Sequence, residues 1–187
     1  IRDSDWQAPA FLFGSDRMGP GCPHFETDSG PLTRWVGKYS TSGTLAQHTA
    51  TLQRIIDHSP DLATVIAVAL GSPLLRIVGQ PVFVLDICSG TSQGKTKALR
   101  VAASVNGSPD AVLSWDSTAF ALEMHVNAVR GLSVCIDETQ RAKPEQVQKT
   151  VYDVTTRDGR GRGEKQGGVR ETSVYESLVI ATGEQSI

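Results

Sequence analysis

With 187 residues, 39% of them hydrophobic and 20% charged, the chain is long enough to bury a sizeable core and too balanced in composition to be disordered throughout. A formal net charge of −2 excludes bulk attraction to nucleic acid or to a membrane surface and leaves that part to a local basic patch. Three cysteines, Cys22, Cys88 and Cys135, stand at unrelated spacings and make neither a disulfide framework nor a zinc pattern. Cys88 and Cys135 are expected as buried free thiols at the ends of core strands, which favours a reducing, cytoplasmic location. The four histidines lack metal-ligand spacing.

The chain begins at Ile1 without a methionine and reads as a piece of something longer. No signal peptide is visible, and the longest apolar run, Ala63 to Leu70, is far too short to span a bilayer. Residues 1 to 38 are rich in Gly, Pro, Asp and aromatics, with short strands expected at Pro9 to Phe13 and Leu32 to Val36. From Gly43 the period changes. Leu45, His48, Leu52 and Ile55 recur at helical spacing behind a possible Thr44 cap, and a second helix, apolar nearly all round, is expected from Asp61 to Leu70. Pro73 and the Gly79-Gln80-Pro81 turn then punctuate the approach to the first core strand.

The stretch from Pro81 to Val105 organises the rest. An apolar run from Val82 to Ile87 fits a buried strand, Ser89 to Gly94 is a loop of small residues, and a helix face begins after Lys95-Thr96. In that context Ser89, Gly90, Thr91, Ser92, Gln93, Gly94, Lys95 and Thr96 read as a phosphate-binding loop of the Walker type. Small residues let successive backbone N–H groups face a phosphate chain, Lys95 supplies an ammonium for the β- and γ-phosphates, and the Thr96 hydroxyl is a Mg²⁺ ligand. The usual spacing has a first glycine where Ser89 stands, with Gly90 one place later. A positive φ at Ser89 would cost about 1 kcal/mol.

After the loop helix, Ala111 to Trp115 fits a short strand, Asp116 or Ser117 could cap the next helix, and Trp115 is expected to pack in the core rather than stack on a base. Leu132 to Ile136 is a continuous apolar strand ending in Asp137-Glu138, at the edge where open α/β sheets hold ligands. Asp137 would support Mg²⁺ with Thr96, and Glu138 could polarise the attacking water. Pro144 opens a helix with Val147, Val151 and Val154 on one face. Between Arg157 and Arg170 five basic residues (Arg157, Arg160, Arg162, Lys165, Arg170) face two acids, a local charge of +3. That segment could supply an arginine finger, touch DNA phosphates, or be a solvated loop. A last strand, Ser173 to Ala181, ends at Thr182, where a sensor of γ-phosphate or an ordinary strand-end threonine fits.

The run from Gly90 to Val105, Trp115, the Ala-Leu-Glu of residues 121 to 123, Ile136-Asp137-Glu138 and Ala181-Thr182-Gly183-Glu184 together resemble a family. It is the phage- and plasmid-borne P-loop domain of unknown function described as superfamily II helicases and inactivated derivatives, and it resembles helicases of staphylococcal cassette elements too. The resemblance implies an α/β fold with an AAA+/RecA-like P-loop NTPase core, its mainly parallel sheet flanked by helices and preceded by a small β-then-helical segment. The expected division is an accessory region at 1–79 and an ATPase core at 80–187 that stops before a lid domain. It also implies ATP and Mg²⁺ as ligands, DNA as partner and a homo-oligomeric ring, with Lys95, Asp137, Glu138 and Thr182 as catalytic or sensing residues. The expected activity is ATP hydrolysis by a motor core coupled to DNA unwinding or translocation. A catalytically degenerate nucleotide-binding or assembly module is the alternative, and a small-molecule phosphotransferase a distant third.

Overall fold

The computed structural model describes residues 11–13, 16–18, 31–156 and 175–187, with side chains from residue 34 onward. Two short strands, β1 (Phe11–Phe13) and β2 (Asp16–Met18), pair antiparallel. Three helices follow: α1 (Pro31–Val36), α2 (Leu45–His58) and α3 (Pro60–Ile77). The rest alternates strand and helix as β3 (Val84–Cys88), α4 (Lys95–Asn106), β4 (Val112–Ser114), α5 (Ala119–Ala128), β5 (Ser133–Asp137), a 3-10 turn (Thr139–Arg141), α6 (Pro144–Thr156) and β6 (Leu178–Gly183). The strands β3, β6, β5 and β4 lie in that order in one sheet, every neighbouring pair parallel. This is an α/β fold with a four-stranded parallel sheet flanked by helices.

Strand order explains the burial. β6 is central and buried at all six positions, as is most of β5, whereas β3 lies at an edge and is only half-buried. Leu99 and Ala102 of α4, Leu122 and Val126 of α5, and Val147 and Val154 of α6 cover the sheet, and Trp115 is buried among them as expected. Trp35 and Tyr39 join the same cluster. The Trp35 ring lies 4.9 Å from Tyr39 and 4.8 Å from His125, which ties α1 and the residues after it to α5.

Four local expectations are corrected. Leu32 to Val36 belongs to a helix rather than a strand: Pro31 takes the first helical position, where its missing N–H costs nothing. The second helix does not stop at Leu70 but runs through Pro73 to Ile77. Pro73 cannot donate to the Ala69 carbonyl one turn back. That carbonyl instead accepts from Ser72 Oγ at 2.9 Å and from Asn106 Nδ2 at 3.4 Å, so the helix continues without an orphaned acceptor. At 18 residues and mean hydropathy 1.4, α3 is long and apolar enough to cross a membrane by length and composition; here it packs against α2 and α4 with Val65, Ile66, Ala69 and Ser72 buried. The cap of α5 is Thr118, which accepts from the Ala121 N–H, rather than Asp116 or Ser117. Cys88 is exposed, because its strand is an edge strand, while Cys135 is buried as expected. The Thr44 cap is present and closes a reciprocal box with Gln47.

Burial pushes the Cys135 thiol up from 9.0 to about 12 and, with a smaller contribution from Cys135, raises the Tyr39 phenol well above 10. Both groups are neutral when protonated. Cys135 therefore contributes stability that is intact below about pH 9 and is lost as the pH climbs through about 12, and Tyr39 contributes in the same direction. Peptide-level mass spectrometry after brief thiol alkylation should therefore find Cys88 modified in the native chain and Cys135 only after unfolding. Equal labelling of the two would contradict the packing of β5.

One glycine is fixed by space alone. A Cβ on Gly107 would lie 2.4 Å from the Lys38 carbonyl oxygen and 2.8 Å from Tyr39 Cα, at the point where Ser108 N–H bonds Lys38 O. Gly107→Ala should destabilise the chain by about 1–3 kcal/mol in urea unfolding, since backbone rather than a side chain must move.

Candidate functional site

The segment between β3 and α4 turns tightly. Ser92 (φ 61) and Gly94 (φ 85) take left-handed backbone conformations, and Gly94 is the residue that precedes α4. The positive φ considered for Ser89 therefore falls three residues later, and the strain of about 1 kcal/mol with it. Gly90 to Gly94 are exposed, so an anion has access to the turn and to the N-terminal end of α4. Lys95 bends back over the turn and donates to Ser89 O at 2.6 Å and Gly90 O at 2.7 Å. Its ammonium thus stands beside the loop it follows, held by two carbonyl dipoles.

The sheet brings the second motif to the same edge. β6 separates β3 from β5, and all three strands point their carboxyl ends the same way, so Asp137 ends beside the start of α4. Thr96 Oγ1 donates to Asp137 Oδ2 at 2.8 Å, across 41 residues of sequence. The other carboxylate oxygen, Oδ1, accepts from the Glu138 N–H at 3.0 Å and from the Thr182 hydroxyl. Asp137 is thereby oriented by three donors from three elements. Thr182 itself is fully buried, and it reaches the site through this carboxylate.

Glu138 adopts φ 66 and ψ 58, an unusual conformation for a residue with a side chain, and opens the 3-10 turn. Its carboxylate pairs with Arg141 Nε at 3.0 Å. Thr139 donates to Thr182 O at 2.9 Å and so stitches the turn after β5 to the end of β6. The sequence assigns no role to Arg141, to Thr139 or to Glu184, whose carboxylate accepts from Thr91 Oγ1 at 2.7 Å. Arg141 finds its partner one turn away in an unpredicted 3-10 element, whereas the partners of Thr139 and Glu184 lie 43 and 93 residues away. Arg157, Arg160, Arg162, Lys165 and Arg170 lie outside the described residues.

Lys95, Thr96, Asp137 and Thr182 are thus brought together. A hydroxyl and a carboxylate in mutual contact are a hard-oxygen pair suited to Mg²⁺, which characteristically takes one or two protein ligands and completes its shell with phosphate oxygens and water. Among the described residues no cluster of three His, Cys, Asp or Glu side chains forms an all-protein metal cage. Thr96 and Asp137 thus offer the kind of oxygen donors that could hold a magnesium ion.

Among solved structures the chain is similar to one described as "SCCmec type IV Cch - active helicase", with a TM-score of 0.64 and 20% sequence identity. The similarity covers 81% of this chain and 29% of that one, so this chain spans less than a third of that helicase. The likeness establishes a shared fold. No match was found among curated proteins. A family model described as "Domain of unknown function (DUF927)" matches residues 10–174. With most of its length matched, the chain belongs to the DUF927 family.

Proposed function

We propose that this chain is the ATP-binding and hydrolysing motor core of a DNA helicase from a mobile genetic element. The observation that carries the reading is the 2.8 Å bond between Thr96 and Asp137, which joins the helix after the glycine-rich turn to the end of a second strand. The α/β fold shared with a helicase supports it, as does family membership.

In this reading the 89–94 turn and the first N–H groups of α4 bind the triphosphate, and Lys95 exchanges its two carbonyl partners for phosphate oxygens. Thr96 and Asp137 would hold Mg²⁺, which neutralises phosphate charge as it shifts toward the leaving group. Thr182 and the Glu138 N–H keep the Asp137 carboxylate in one orientation. Glu138 accepts a proton from the attacking water, for which its carboxylate must leave Arg141. DNA binding, ring assembly and an arginine donated across a subunit interface belong to the proposal through the likeness to helicases and the basic residues between Arg157 and Arg170.

The Glu138–Arg141 pair also favours a second reading, a nucleotide-binding assembly module that does not turn over. Glu138→Gln separates the two. In a motor, ATP turnover, measured with and without DNA, should fall about 10²- to 10⁴-fold while nucleotide binding is kept. Turnover that is absent from the parent chain in its assembled form would sink the motor reading and leave the module.

A further inference from the structure

The end of β6 makes a second connection to the glycine-rich turn, independent of Asp137. Thr91 Oγ1 donates to Glu184 Oε1 at 2.7 Å, and the Ser89 N–H donates to the Gly183 carbonyl at 3.3 Å. Gly183 sits where there is little room to shift: a Cβ there would meet Gln185 O at 2.9 Å and Thr139 Cβ at 3.2 Å. On its other side the same strand end is fastened by the Thr182 hydroxyl to Asp137 and by Thr139 to Thr182 O. Three consecutive residues, Thr182, Gly183 and Glu184, therefore grip β5 with one hand and the turn with the other.

Among the described residues the turn has few other anchors. Lys95 bonds Ser89 O and Gly90 O, but those are the contacts a phosphate would compete for. The Glu184 bond engages a side chain, not the backbone N–H groups, and can persist when an anion arrives. A six-residue exposed turn that must present several N–H groups at once loses substantial backbone freedom on binding, and a bond made beforehand removes part of that cost. Against this, a carboxylate near a phosphate site repels it. Exposure screens that repulsion, whereas a hydroxyl-to-carboxylate bond is among the stronger kinds of hydrogen bond.

We propose that Glu184 is a positioning residue that holds the 89–94 turn ready for phosphate through Thr91. This inference rests on the nucleotide reading above, and it assigns a role to a residue outside both the 89–96 segment and the Asp137-Glu138 pair. The test uses the 187-residue chain and Mg²⁺ with the non-hydrolysable analogue AMP-PNP, followed by titration calorimetry. Glu184→Ala should weaken binding about fivefold, Thr91→Val should do the same, and the double variant should be no weaker than either. Glu184→Gln, whose amide oxygen can accept the same bond, should bind within about twofold of the parent chain. Without nucleotide, hydrogen exchange at residues 89–94 should be faster in Glu184→Ala and unchanged in Glu184→Gln. Equal or tighter binding by Glu184→Ala, an unchanged exchange rate, or equal losses in the Ala and Gln variants would overturn the role of Glu184 alone. A parent chain that does not bind Mg-AMP-PNP would overturn the nucleotide reading as well.

Discussion

Lys95→Ala is expected to abolish nucleotide binding and turnover, by about a hundredfold or more, without unfolding the chain. The structure holds this ammonium against the turn, and its hydrogen bonds go to two loop carbonyls rather than into the core. Removing it deletes a charge-assisted contact to the phosphates, which are the groups that carry negative charge in both ground and transition state. Stability should change by no more than about 0.5 kcal/mol, because no core contact is lost. The measurements are an ATPase assay and a urea unfolding curve on the same preparation. An active Lys95→Ala variant would show that phosphate binds elsewhere.

Asp137 is the second position where a large effect is expected, and here stability and activity should separate. Asp137→Asn keeps the shape and can still exchange hydrogen bonds with Thr96, Thr182 and the Glu138 N–H, so the fold should hold. It removes the negative charge that would support Mg²⁺, and turnover should fall about 10²- to 10³-fold. Asp137→Ala should add a loss of about 1–3 kcal/mol in unfolding free energy, since the buried Thr182 hydroxyl is left without its acceptor. If Asn and Ala variants lost activity and stability in parallel, Asp137 would be a structural residue and not a metal ligand.

Much of this arrangement was legible in the sequence because it depends on neighbours. The apolar run before Ser89, the turn of small residues and Lys95-Thr96 lie within one short stretch, and β3 and α4 form where their own residues direct. β5 was readable for the same reason, as an apolar strand that ends in acids. Two misreadings were local, the helix opened by Pro31 and the cap at Thr118, and the others depended on distant partners. The helix through Pro73 survives because Asn106, on another helix, helps to satisfy Ala69. The exposure of Cys88 follows from the order of strands, which the residues of β3 alone do not specify. The tie between Thr91 and Glu184 spans 93 residues and uses residue types common in any exposed loop. Nothing local distinguishes such a pair from two solvated side chains.

If two strand ends meet at one metal-bound phosphate, Mn²⁺ can stand in for Mg²⁺ there and report on both. Electron paramagnetic resonance of the chain with Mn²⁺ and AMP-PNP should show one tightly bound ion coupled to phosphorus. That signal should be lost or strongly reduced in both Thr96→Ala and Asp137→Ala, whose side chains come from separate elements. A bound-ion signal that survives either substitution unchanged, or that shows no phosphorus coupling, would contradict the account.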